Sequence, residues 1–168
     1  MTIKLFILLL CSLFGSSFDK EPALASQEQV VYAVIVHIDS KIDDLSLSDL
    51  KKYMKVDRRH WPDKSSVIPF QRPLSSALQK YILEEIYGMT ERQLRRHFVS
   101  LMNKGSIGAI PSVVKEREMV CRLVGKKDGG LAVVVAGDLP KTVKALKIDG
   151  KSPGEKGYPL VQTIVQDS

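Results

Sequence analysis

Pro69-Phe70-Gln71-Arg72-Pro73-Leu74-Ser75-Ser76-Ala77-Leu78 joins a strand-like run to an amphipathic helix, and the chain on either side is organised around that joint. Upstream, Val67, Ile68 and Phe70 read as a short strand. Downstream, Ser75 or Ser76 caps a helix running to Tyr87, whose apolar positions Leu78, Ile82, Leu83 and Ile86 recur at helical spacing. The first turn of a helix exposes unpaired N–H groups that together carry about half a positive charge. Those amides, the two hydroxyls and the guanidinium of Arg72 just upstream form a pattern that can enclose a tetrahedral oxyanion. Arginine suits it because its planar fork donates two parallel hydrogen bonds. The same residues also make an ordinary cap beside a solvated arginine, so spacing alone leaves both readings open.

Working outward, Val30 to Ile38 is almost wholly apolar and β-rich, which predicts a strand covered on both faces. Ser46 with Asp49 makes a capping-box-like start for a short helix carrying Leu47, Leu50 and Met54. Arg58 to Lys64 is a charged turn containing Trp61, the single tryptophan; it reads as packing that turn, with stacking on a ring-shaped ligand as the alternative. Gly88 supplies a left-handed stop, and Thr90 with Gln93 opens a third helix. One face of that helix holds Leu94, Phe98, Leu101 and Met102, and the other holds Arg92, Arg95, Arg96 and Lys104, read as solvated surface. A connector from Gly105 to Pro111 leads to a helix expected from Ser112 through Leu123, ending at Gly125. Leu131 to Ala136 reads as a buried strand, Val143 to Gly150 as an alternating edge strand, and Leu160 to Val165 as a last strand. Strands alternating with helices predict an α/β, three-layer helix/sheet/helix lobe. Arg72, Ser75 and Ser76 would lie where loops leave the carboxyl ends of its strands, the usual place for ligands.

The N-terminus has the parts of a cleavable signal peptide: Lys4, an apolar stretch from Leu5 to Phe14, and Ala23-Leu24-Ala25 as a small-x-small site. The stretch is too short to span a bilayer. Residues 1–25 are read as this signal and 26–168 as one lobe, in a periplasmic or secreted location with no integral membrane segment after cleavage. Cleavage removes Cys11 and leaves Cys121 alone in an apolar helical context, where a buried inert thiol is expected. The net charge of +6 favours anionic partners, and export argues against nucleic acid.

The ordered set of pieces resembles the phosphate-type substrate-binding proteins of ABC importers, in the periplasmic-binding-protein superfamily, and in particular one lobe of them with the short single-lobe relatives. The marks are Leu45-Ser46-Leu47-Ser48-Asp49-Leu50, Trp61-Pro62-Asp63, Val67 to Arg72 with the Ser75-Ser76 helix start, Gly129 to Val133, and Lys147-Ile148-Asp149-Gly150. The resemblance implies a non-enzymatic solute-binding lobe for phosphate or a similar small anion. It implies binding by Arg72, Ser75, Ser76 and the backbone amides of Ala77 and Leu78, with Arg72 in place of the family's arginine and Ser75 in place of its serine. Ser76 and Ala77 stand where glycine and threonine are expected. It also implies a second lobe or chain, or an ABC permease, as partner; the alternative is an envelope interaction module that has lost its ligand. No cofactor is expected. His37, His60 and His97 lack metal-ligand spacing. The Gly125 to Gly130 stretch is not a phosphate-binding P-loop, since no Gly-Lys-Ser/Thr follows.

Overall fold

β1 (Gln27–His37) is an eleven-residue strand inside the sheet, and Tyr32 to Val36 are buried throughout. Neighbouring strand residues point to opposite faces, and the packing follows that alternation. Tyr32, Val34 and Val36 enter one hydrophobic core, whereas Ala33 and Ile35 enter another. The computed structural model describes residues 27–165; the signal peptide read at 1–25 lies outside them.

β2 (Asp44–Leu45) precedes α1 (Leu47–Met54), and β3 (Ile68–Pro69) leads to α2 (Ala77–Ile82), which continues as a π-helical turn over Leu83–Tyr87. Next come α3 (Glu91–Asn103), α4 (Arg117–Val124), β4 (Gly130–Val135), β5 (Val143–Ala145), β6 (Lys147–Ile148) and β7 (Val161–Val165). The main sheet has the order β3-β4-β1-β5, and β7 pairs with the N-terminal half of β1. β4, β5 and β7 run antiparallel to β1, while β3 runs parallel to β4.

Leu50, Tyr53 and Met54 of α1, Leu78 and Ile82 of α2, and Leu94 and Phe98 of α3 pack on the face of Val34. Val120, Cys121 and Val124 of α4 cover the face of Ile35. The three-layer helix/sheet/helix arrangement expected from the sequence is therefore present, with Cys121 buried as anticipated.

Two expectations need correction. The helix placed from Ser112 begins only at Arg117, because Ser112 to Val114 is drawn out along the sheet edge: Gln71 N–H donates to Ser112 O, and Val114 N–H to Gln71 O. The single edge strand from Val143 to Gly150 is two strands. Leu146 N–H still donates to Val34 O, but Lys147 N–H turns to Asp43 O, and β6 pairs in parallel with β2. The helix read as capped by Ser75 or Ser76 is capped by Ser76, starts at Ala77 and widens into a π turn before Gly88, whose φ of 59° makes the left-handed stop.

The β6 turn also fixes α1. Asp149 and Gly150 have φ of 52° and 76°, both positive, as a tight hairpin turn of this composition requires. Asp149 Oδ1 accepts from Leu47 N–H at 3.1 Å, while Ser46 Oγ accepts from Asp49 N–H, so two donors of the first turn of α1 are satisfied from different parts of the chain. Asp149→Ala removes one acceptor and puts a less tolerant residue at positive φ. It is expected to cost about 1–2 kcal/mol in urea unfolding, with Asp149→Asn much milder.

Candidate functional site

Arg72 leaves the carboxyl end of β3, as expected for a ligand loop, and the backbone before it is held firmly. Gln71 is 7% exposed; its Nε2 donates to Tyr87 Oη at 3.1 Å, tying the end of β3 to the end of the π turn. Burial pushes the Tyr87 hydroxyl far above its usual ionisation range, so it stays neutral and accepts this bond. On the following residue, Arg72 N–H donates to Gln79 Oε1 at 3.3 Å, and the guanidinium Nη1 donates to Val114 O at 3.2 Å. The guanidinium is thus anchored to the extended 112–114 segment, and its positive charge reaches the Cys121 thiol. That thiol is pushed up chiefly by burial.

Pro73 to Ser76 form a turn closed by Ser76 N–H donating to Pro73 O at 2.9 Å. Ser76, with extended backbone, is the helix cap: its Oγ accepts from Gln79 N–H at 3.1 Å and donates to Pro73 O at 2.8 Å. Ser75 is exposed beside it. Ala77 and Leu78 are the first two helical residues, and their N–H groups have no acceptor within the helix. The five expected residues therefore lie along one continuous segment, with the Ser76 hydroxyl already engaged twice and Ser75 exposed. No hydrogen bond joins the Arg72 guanidinium to either serine among those described.

Sequence reading passed over Gln79. It is 1% exposed, and with Gln71 it makes up the buried polar set among the described residues. Its signal was present: position 79 falls between Ile82 and Leu83 on the apolar stripe of its helix, where a carboxamide is out of pattern. On α3, Arg92, Arg95, Arg96 and Lys104 are exposed, as read, with Arg95 paired to Glu91 at 2.8 Å. No helix among the described residues is long and apolar enough to cross a membrane.

Compared with solved structures, the chain shares the fold of phosphate-type substrate-binding proteins. A chain from Clostridium perfringens, described as a phosphate ABC transporter substrate-binding protein and solved with bound phosphate, matches with a TM-score of 0.65 at 16% identity, over 80% of this chain and 54% of its own. An ABC-type phosphate transport receptor from Vibrio cholerae gives 0.63 at 18% identity, over 80% and 55%. PstS from Borrelia burgdorferi gives 0.66 at 14%, over 82% and 56%. The chain spans about half the length of the solved structures it matches. No protein-family model matches it, and no curated protein does.

Proposed function

We propose that this chain is an exported, non-enzymatic solute-binding lobe that recognises phosphate or a similar oxyanion. Arg72, the Ser75 hydroxyl and the free amides of Ala77 and Leu78 supply the donors, with Ser76 shaping the turn. The observation that carries the reading is the placement of Arg72 and an unpaired helix start at the carboxyl end of β3, in a fold shared with a chain solved holding phosphate. The opposite wall of the site belongs to a second lobe or chain, and an ABC permease is the partner that such a lobe would serve. One wall alone binds weakly. Three missing charge-assisted hydrogen bonds, at about 1.5–3 kcal/mol each, cost about 5–9 kcal/mol, enough to turn micromolar affinity into millimolar affinity at best, so titrations of this chain alone must reach about 50 mM phosphate.

A second reading, an envelope interaction module without ligand, is favoured by the two bonds that already engage Ser76 Oγ and by the bond from Arg72 to Val114 O. Calorimetry with phosphate separates the two. Under the first, binding heat falls at least about tenfold in apparent affinity with Arg72→Ala; heat that is absent, or indifferent to Arg72, leaves the second.

A further inference from the structure

Among the described residues, three buried polar side-chain atoms have no partner within the protein: Arg72 Nε, Gln79 Nε2 and Tyr158 Oη. Two of the three belong to residues that touch each other, through the bond from Arg72 N–H to Gln79 Oε1. That bond also fixes the carboxamide. Turning it over would set its NH2 group against the Arg72 N–H, so Nε2 is held as the free donor. The guanidinium Nε is likewise a donor and never an acceptor.

Two unsatisfied donors therefore belong to residues joined by one hydrogen bond at the start of α2, and nothing among the described residues accepts from them. A buried donor without an acceptor costs free energy that leucine at position 79 would avoid. The group that relieves both atoms must offer lone pairs and needs no hydrogen of its own, which describes an ionised oxyanion oxygen.

We propose that Gln79 is a further anion-binding residue of this site: Nε2 donates, with Arg72 Nε, to one ligand oxygen, while Oε1 holds the Arg72 backbone in place. The proposal rests on the oxyanion reading above. It extends the site inward from the exposed Ser75 to a residue that is 1% exposed, so a ligand oxygen reaches these donors as the groups covering them move aside.

The test is a titration of the purified chain with inorganic phosphate, followed by calorimetry and by the side-chain amide resonances of glutamine in the unaltered protein. The Gln79 Nε2 protons are expected to shift and to saturate at the phosphate concentration that saturates the heat. Gln79→Met, similar in length but without donor or acceptor, is expected to weaken phosphate binding by about tenfold or more. If the unaltered protein binds phosphate while the Gln79 amide stays unmoved, or Gln79→Met binds equally well, Gln79 only pairs with buried water and the inference fails alone. If the unaltered protein gives neither heat nor resonance shifts up to about 50 mM phosphate, the oxyanion reading fails and takes this inference with it. The resonance measurement needs no variant, so misfolding of Gln79→Met does not block the decision.

Discussion

Gly129→Ala is expected to lower stability by about 3 kcal/mol or more, or to prevent folding, and to abolish any phosphate binding with it. A Cβ at residue 129 would stand 1.7 Å from the Ser66 carbonyl oxygen and 2.9 Å from its carbon. Both are backbone atoms, so no side chain can swing aside. Relief requires the strand entering at Ser66 to retreat from β4. That movement breaks the bonds from Ile68 N–H to Gly129 O and from Phe70 N–H to Leu131 O, each 2.8 Å. Those two bonds hold β3 in register, and β3 delivers Arg72. The matched control is Gly108→Ala, where an added Cβ meets nothing within 4 Å. Thermal unfolding followed by circular dichroism should show a large loss for the first and almost none for the second. Equal melting temperatures would mean that the approach of Ser66 to Gly129 is not a constraint.

What the sequence disclosed and what it hid divide along physical lines. β1 was legible because Val30 to Val36 is apolar without interruption, and a strand of that kind must be covered twice. The caps at Ser46 and Thr90 were legible because they are local: the bonds from Asp49 N–H to Ser46 Oγ and from Gln93 N–H to Thr90 Oγ1 span three residues. The stretch from Ser112 to Glu116 was misread for the opposite reason. Its backbone is claimed by Gln71, far earlier in the chain, and no short window records that competitor. The break at Leu146 is of the same kind, since the carbonyls of Asp43 and Leu45 take the N–H groups of Lys147 and Asp149 there, and the chain leaves β1. At the candidate site, the residue types around Arg72 could be read, but whether the guanidinium rests on a serine or on Val114 O depends on that same distant segment. Gln79 was hidden by habit rather than by physics: a polar residue on an apolar stripe signals a buried hydrogen-bonding demand, and this one lies beneath the turn that the oxyanion reading singles out.

Trp61→Ala is expected to cost about 3–5 kcal/mol, which places the single tryptophan in the core rather than on a ligand. Trp61 is 4% exposed in a charged turn, and its ring lies 4.5 Å from that of Tyr53 on α1, tilted by 47°. The turn is built to aim it inward. Trp61 N–H donates to Ser65 O and Lys64 N–H to Trp61 O, both at 2.9 Å, with Lys64 carried through a φ of 71°. The Asp63 carboxyl, held below the usual range first by the Ser65 hydroxyl, also accepts from Ser65 N–H at 2.9 Å. Removing the indole leaves a cavity between α1 and the entry to β3 that the closed turn cannot collapse to fill. Trp61→Phe keeps a ring against Tyr53 and should recover most of the loss. Because Trp61 is the only tryptophan, the variants must be followed by far-ultraviolet circular dichroism in urea, and a Trp61→Leu, Tyr53→Leu double cycle should give a coupling of about 0.5–1.5 kcal/mol. A loss below about 1 kcal/mol for Trp61→Ala, with no coupling to Tyr53, would return the indole to the surface and reopen the stacking of a ring-shaped ligand. The large loss instead ties the turn before β3 to the α1 face, so the strand that positions Arg72 is braced by Trp61 at its start and by the Gln71 bond to Tyr87 at its end.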